Sequence, residues 1–467
     1  MKINNFIGKK INEYIDLNIK FNNDLSIIVG PNGSGKTTAL NLIHSILCPN
    51  LEELIKIPYK LLQLEIQHLS ETYSIEVHKD KTKIEIHLYL VKYVEDDIYS
   101  FSSVTDKLII DFQQFEEMDY MKYKNKSEIN YGDLLLRKYN AHEIITFIKN
   151  LSSPIFVGLE RTNSDVKEDY KNYLLERNLY LHNKAIEIDK YRRTQKNTLG
   201  VSILETELLI QSIYKRLKSV EEHYSNSIQK ELIYSSFEYI DFNLDSSTDL
   251  VALSEKYKLV ARQSEIEESL KKIGILDKNL SNKLKLFFSN IEKLLMTVKG
   301  VDFDNSQITI EWLLNKSQID KLSKLVEILD VYKSKVQETF APITKFLNII
   351  NSFFKDTGKR LYVDEVGRLS VKKPHGRDLT VDELSSGERQ LIILFANVIF
   401  DKYKFSTTKN EIMIIDEPEI SLHIRWQEKF IDCLYEASEK TQFIIATHSP
   451  DIIGDYKADT IKLNSNN

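Results

Sequence analysis

At 467 residues the chain exceeds what one ordinary core accommodates, so two or more folding units are expected and a small scaffold stapled by disulfides or metal is excluded. Charged residues make up 28%, while 14 Gly and 8 Pro are few for this length, which points to a helix-rich protein with short connections. The net charge of -6 does not announce a nucleic-acid-binding surface, although a local basic groove is compatible with it.

The first elements read as strands at Lys2–Ile7, Tyr14–Phe21 and Leu25–Val29. The third runs directly into Gly30-Pro31-Asn32-Gly33-Ser34-Gly35-Lys36-Thr37, which satisfies GxxxxGK[ST] between a buried strand and a helix from Thr37 to about Leu47. In that context backbone N–H groups can wrap a phosphate and the helix N-terminus adds favourable potential. Asn32, Gly33, Ser34, Gly35, Lys36, Thr37 and Thr38 are therefore the candidate nucleotide-binding residues. Lys36 would reach the β- and γ-phosphates and Thr37 would hold Mg²⁺. A glycine-rich turn with a surface lysine is the alternative, and the strand and helix on either side argue against it.

Alternating segments at Leu62–Ile66, Tyr73–Val77 and Lys83–Leu90 predict an antiparallel sheet. The run Pro154-Ile155-Phe156-Val157-Gly158-Leu159-Glu160-Arg161 reads as a strand ending in a charged pair. From about Asp165 to Asn348 glycine nearly disappears and helical periodicity dominates. Ile203, Ile210, Leu217 and Tyr224, with Ile213 and Val220, mark a local helix-packing seam. Breaks at Asp241–Asp249, Gly274 and Gly300 favour a compact helical bundle over a long coiled-coil rod. The predicted division is 1–164, 165–348 and 349–467: an α/β head split by a mainly helical insertion.

The α/β pattern returns with strands at Leu361–Asp364 and Arg368–Val371. Leu384-Ser385-Ser386-Gly387-Glu388-Arg389-Gln390 then opens an apolar helix, either as an anion-ready N-terminus or as an N-cap followed by surface charges. A buried strand at Glu411–Ile415 runs on into Asp416-Glu417, which sets two carboxylates at the C-terminal edge of a parallel sheet. Asp416 would join Thr37 in holding Mg²⁺, and Glu417 would polarise the attacking water. A further strand, Thr441–Ala446, leads into Thr447-His448-Ser449-Pro450. The apolar run near Leu391–Ile399 is interrupted by Asn397 and falls well short of the roughly 20 residues that cross a bilayer. Cys48 and Cys433 stand apart, with no metal-ligand spacing. A reducing, cytoplasmic setting without a membrane role follows as an expectation.

Taken together, the glycine loop, the LSSGE segment, the strand ending in Asp416-Glu417 and the later His448 resemble the ABC ATPase superfamily, in its SMC, RecF and OLD-like branch. Ser386 stands where that family's signature has its first glycine. The resemblance implies ATP and Mg²⁺ as ligands, Lys36, Glu417 and His448 as catalytic residues, and Ser385, Ser386, Gly387 and Glu388 as groups capping the γ-phosphate of a second chain. A homodimer of heads, or a higher homo-oligomer, is therefore implied. Glu419-Ile420-Ser421-Leu422-His423 resembles the D-loop region, with the role of His423 open. The segment ending in Glu160-Arg161 resembles that of defence-associated ATPases, which makes Arg161 a candidate, with a surface ion pair as the alternative; no clear Q-loop glutamine presents itself. Only 19 residues follow His448, so an effector nuclease is expected on a separately encoded chain. The expected function is an ATP-driven switch subunit of an anti-phage defence system, resembling the ATPases of PARIS and Septu. The alternative is a RecF- or SMC-like repair ATPase that clamps DNA, so nucleic acid stays open as a partner.

Overall fold

The structure, a computed structural model, describes residues 1–94, 98–112, 138–157, 203–236, 261–299, 306–400 and 412–463. Arg161, and the breaks expected at Asp241–Asp249 and Gly300, lie outside the described residues. Two compact units are present: Met1–Gln211 together with Lys345–Asn467, and Ser212–Thr344.

The chain begins with β1 (Lys2–Ile11), β2 (Ile15–Lys20), β3 (Leu25–Val29), α1 (Lys36–Leu47) and α2 (Leu51–Lys56). It continues through β4 (Leu61–His68), β5 (Glu71–Lys79), β6 (Lys83–Val94), β7 (Ile98–Ser103), β8 (Leu108–Asp111), α3 (Glu143–Asn150) and β9 (Ile155–Val157). The helices α4 (Ile203–Ser236), α5 (Gln263–Lys272), α6 (Lys278–Lys299) and α7 (Ser306–Phe354) follow. Last come β10 (Arg360–Val363), β11 (Leu369–Lys372), β12 (Leu379–Thr380), α8 (Ser386–Phe400), β13 (Ile412–Asp416), α9 (Ile424–Gln427), α10 (Phe430–Ala437), β14 (Gln442–Ala446), α11 (Pro450–Ile453) and β15 (Thr460–Lys462).

The first unit holds two larger sheets whose sequences dictate their kind. In β4 every second residue is buried, the mark of a sheet with one covered face, and it pairs antiparallel in the order β2-β1-β4-β5-β6-β7, with β8 also on β6. By contrast β13 and β14 are apolar runs buried at every position, and they lie in an all-parallel sheet of order β15-β3-β14-β13-β9. Between the sheets, α1 contributes Ala39, Leu40, Leu42, Ile43 and Ile46 to a core shared with Phe6, Leu62, Ile75, Ile414 and Ile444. A buried glutamine ties the sheets together. Gln442 accepts the Ile3 N–H and donates to the Ile3 and Asn22 carbonyls, each at 2.8 Å, and so satisfies backbone groups where β1 slips its register between Ile3 and Asn5.

His44 of α1 packs edge-on against Phe156 of β9 at 5.4 Å, and burial pushes its imidazole down to about 4. The unfolded chain takes up this proton near 6.5, so between about pH 6.5 and 4 the unfolded state holds more protons and stability falls as pH falls. The expected contribution is at most about 3 kcal/mol. In denaturant titrations from pH 7 to 4, His44→Leu should flatten the acid side of the stability curve; an unchanged slope would remove His44 from the account.

The second unit is built from helices around a core of Ile228 from α4, Ile266 and Leu270 from α5, Phe288 from α6, and Leu322, Val326 and Leu329 from α7. Ile210, Ile213 and Leu217 are buried along the α4 seam, but Val220 is 37% exposed and does not belong to it. Tyr224, which continues the row from Ile210 and Leu217, and Ile228 carry the packing onward. Among the described residues no helix is long and apolar enough to cross a membrane.

Candidate nucleotide site

Three neighbouring strands of the parallel sheet end at one edge. Leaving β3 is the loop Gly30–Gly35, leaving β14 is Thr447–Ser449, and leaving β13 is Glu417–His423. The carboxyl ends of parallel strands are the usual ligand edge of such sheets. Because β14 lies between β3 and β13, His448 falls between the loop and the two acids, although they are far apart in sequence.

Gly33 and Gly35 adopt φ of 80° and 91°, left-handed values that turn the loop into α1. A Cβ on Gly30 would come within 2.8 Å of Ser34 Oγ and 2.9 Å of the Leu463 carbonyl, so the strand exit has no room for a side chain. The Lys36 side chain folds back over this loop and is 5% exposed. Its ammonium donates to the Gly30 carbonyl at 2.9 Å, the Pro31 carbonyl at 3.3 Å and His448 Nε2 at 2.6 Å. Lysine has three donors and no acceptor, so Nε2 is the acceptor and the imidazole carries its proton on Nδ1. Burial lowers the Lys36 pKa, while the carboxylates of Glu417, Asp416 and Glu419 oppose that shift.

Thr37 Oγ1 donates to Asp416 Oδ1 at 3.3 Å. Burial, reinforced by the neighbouring Glu417 charge, raises Asp416 to about 6 against the opposing Thr37 hydrogen bond and Lys36 charge. Glu417 has φ of 48°, a left-handed conformation that costs a non-glycine residue about 1–2 kcal/mol. Its N–H donates to the Ala446 carbonyl at 2.8 Å, and its Oε1 lies 4.0 Å from His448 Nε2. This strained turn swings the carboxylate out of the strand direction toward the histidine.

These residues fit a nucleoside triphosphate and a divalent cation. Among the described residues Ser34 Oγ is buried without a hydrogen-bond partner, so a ligand could supply one. The loop offers its amides, with Asn32 exposed and Thr38 half-buried beside it. Asp416 is a carboxylate whose ionised form is disfavoured by its surroundings, and a cation shared with Thr37 would relieve that cost.

The LSSGE segment stands apart from this group. Ser385 precedes α8 as its N-cap: its N–H and Oγ each donate to Glu388 Oε2 at 2.9 Å, and the Glu388 N–H returns to Ser385 Oγ at 3.3 Å. Glu388 is not a surface charge. It is 2% exposed and paired with Lys359 Nζ at 2.8 and 3.1 Å, and the lysine and these hydrogen bonds hold its pKa low although burial works the other way. A Cβ on Gly387 would land on the Ser421 carbonyl oxygen, so this glycine permits close backbone packing. Ser386 is exposed at the first helical position. Among the described residues no hydrogen bond links Ser385–Glu388 to the glycine loop. His423 is the N-cap of α9, its Nδ1 accepting the Arg425 N–H at 3.4 Å.

Two residues that the sequence reading did not single out for a role belong to these constellations. Lys359 has no motif around it. Glu419, named only as part of a loop, accepts the His448 N–H at 2.6 Å; a third acid directly after Asp416-Glu417-Pro418 was the available signal.

The chain belongs to the AAA ATPase domain family, whose profile matches residues 1–453. It is 25% identical over 235 residues to a probable ATPase of retron Vc95 from Vibrio cholerae serotype O1 biovar El Tor, covering 46% of this chain and 44% of that one. A probable ATPase of retron Ec83 from Escherichia coli is 25% identical over 228 residues, covering 41% and 42%. The DNA repair protein RecN of Rickettsia prowazekii (strain Madrid E) is 24% identical over 327 residues, covering 65% and 53%. The chain thus spans about half the length of the curated relatives it matches. Among solved structures, an Smc head domain from Pyrococcus furiosus, bound to the C-terminal domain of ScpA, aligns over 99% of this chain and 93% of its own at 14% identity and a TM-score of 0.36. The SMC head of Thermotoga maritima gives 12% identity and a TM-score of 0.32 over 97% and 91%. At these scores nothing about function follows from the likeness.

Proposed function

We propose that the chain is the ATP-driven switch subunit of a bacterial anti-phage defence system, cytoplasmic, working as a homodimer of heads and holding or releasing a separately encoded effector. The observation that carries the switch reading is a partition. Lys36, Thr37, Asp416, Glu417 and His448 share one strand edge, whereas Ser385–Glu388, which the family resemblance assigns to the γ-phosphate, make no hydrogen bond to them. A site divided this way is completed by a second copy, and closing two heads around ATP couples nucleotide state to shape.

Within each head, Lys36 would exchange His448 for phosphate oxygens, Ser34 and the loop amides would cradle the phosphates, and Glu417 would hold the attacking water in line. Mg²⁺ held by Thr37 and Asp416 would neutralise charge developing on the phosphates. The defence assignment draws support from two relatives that are named as probable ATPases of retrons. The likeness to RecN favours a second reading, a repair ATPase that clamps DNA, in which case duplex DNA should stimulate ATP turnover.

Mixing tests the shared site. A Lys36→Ala chain and a Ser385→Arg chain, each inactive alone, should regain roughly a quarter to a half of wild-type ATPase activity once co-assembled, because mixed dimers retain one intact composite site. Verified mixed dimers with no recovered turnover would rule out completion in trans.

A further inference from the structure

Three ties fasten the loop after β14 to the segment after β13. The Glu417 N–H donates to the Ala446 carbonyl at 2.8 Å, and Ser449 Oγ donates to Gln427 Oε1 at 2.6 Å. The buried Gln427 amide in turn donates to the Leu422 carbonyl at 2.8 Å and the Glu419 carbonyl at 3.3 Å. These two ties, with the Thr447 N–H to the Ile28 carbonyl at 3.1 Å and the Ser449 N–H to Thr447 Oγ1 at 3.0 Å, fasten the loop on either side of His448. The third tie reaches His448 itself: Glu419 Oε1 accepts the His448 N–H at 2.6 Å, a short charge-assisted bond.

We infer that Glu419 is a positioning residue for ATP turnover, holding the His448 imidazole between Lys36 and Glu417 through the His448 backbone. The inference rests on the nucleotide-site reading above. With the backbone held, the ring reaches Lys36 Nζ at 2.6 Å and stands 4.0 Å from Glu417 Oε1, the two groups between which a γ-phosphate and its attacking water must fit. A displacement of about 1 Å at such a site can cost on the order of a hundredfold in rate. The other carboxylate oxygen, Oε2, is buried and has no hydrogen-bond partner among the described residues, a desolvation cost that a surface cap would not carry. The sequence Asp416-Glu417-Pro418-Glu419 thus supplies three carboxylates with separate tasks: one toward the cation, one toward water, and one toward the backbone of the histidine.

Reach and charge can be separated by two conservative variants. Glu419→Gln keeps an acceptor oxygen at the same distance and loses the charge, whereas Glu419→Asp keeps the charge and falls one methylene short of the His448 N–H. Turnover should stay within about fivefold of wild type for Glu419→Gln and drop roughly 30- to 100-fold for Glu419→Asp. ATP affinity should stay within about threefold for both, because the Lys36 side chain and the glycine loop keep their hydrogen bonds and Glu419 is the weakest of the three carboxylates acting on Lys36. In nucleotide-free protein the His448 amide should exchange its hydrogen at least about tenfold faster in Glu419→Asp than in wild type or Glu419→Gln. The reverse ranking, in rate or in exchange, or equal losses in both variants, would overturn the inference. Because the exchange measurement needs no nucleotide, it decides on Glu419 even if ATP binding at this edge were disproved by the wild-type protein.

Discussion

Glu417→Gln should bind ATP as tightly as wild type and hydrolyse it about a hundredfold to ten-thousandfold more slowly, the range usually lost with a general base. The substitution is isosteric and leaves the left-handed turn at φ of 48° and the N–H bond to Ala446 in place, so the carboxamide stands where the carboxylate stood. What it loses is the capacity to take a proton from water. Affinity measured by calorimetry beside phosphate release separates the two effects, and turnover within about threefold of wild type would remove Glu417 from the chemistry. Glu417→Gly provides an internal control. Relieving the positive φ should raise stability by roughly 1 kcal/mol while turnover is lost, as expected where strain is stored at a working residue.

Lys36→Ala should weaken ATP binding on the order of a hundredfold, which corresponds to one charge-assisted interaction of about 3 kcal/mol. The loss is larger than for an exposed lysine because Lys36 is buried and its ammonium feels the charges of Glu417, Asp416 and Glu419, which would then meet the triphosphate unopposed. Lys36→Arg should not rescue binding, since a planar guanidinium cannot occupy the tight space between the Gly30 and Pro31 carbonyls and His448. Fluorescent-nucleotide titration of the three proteins reads this directly; equal affinity for wild type and Lys36→Ala would sink the nucleotide site as drawn.

Parts of this arrangement were legible in the sequence because they are local. The glycine loop, the helix behind it and the apolar runs that became β3, β13 and β14 carry their signals within a few residues, and the acids and histidine follow strand ends where a ligand edge is expected. The strand order was not legible, and it is the order that brings His448 between Lys36 and Glu417. The Lys359–Glu388 pair joins positions 29 residues apart with nothing in either neighbourhood to announce it. The left-handed turn at Glu417 defies local preference, since a glutamate does not ordinarily choose it. At Val220 the seven-residue pattern fails, and the residue faces water.

The order of the parallel sheet also has a bearing on how the protein is made. β3, complete at Val29, is flanked on one side by β14, beginning at Gln442, and on the other by β15, beginning at Thr460, so both of its edges wait for chain that is synthesised roughly 400 residues later. At about 5–20 residues per second the nascent strand and the apolar face of its helix spend about 20 to 80 seconds without their partners. During that interval an apolar, unpaired strand is a template for misassociation between ribosomes on one message. Chains truncated before Gln442 should accordingly accumulate in the insoluble fraction, and a holdase acting on the nascent chain should raise the yield of native protein without changing the stability of the finished fold.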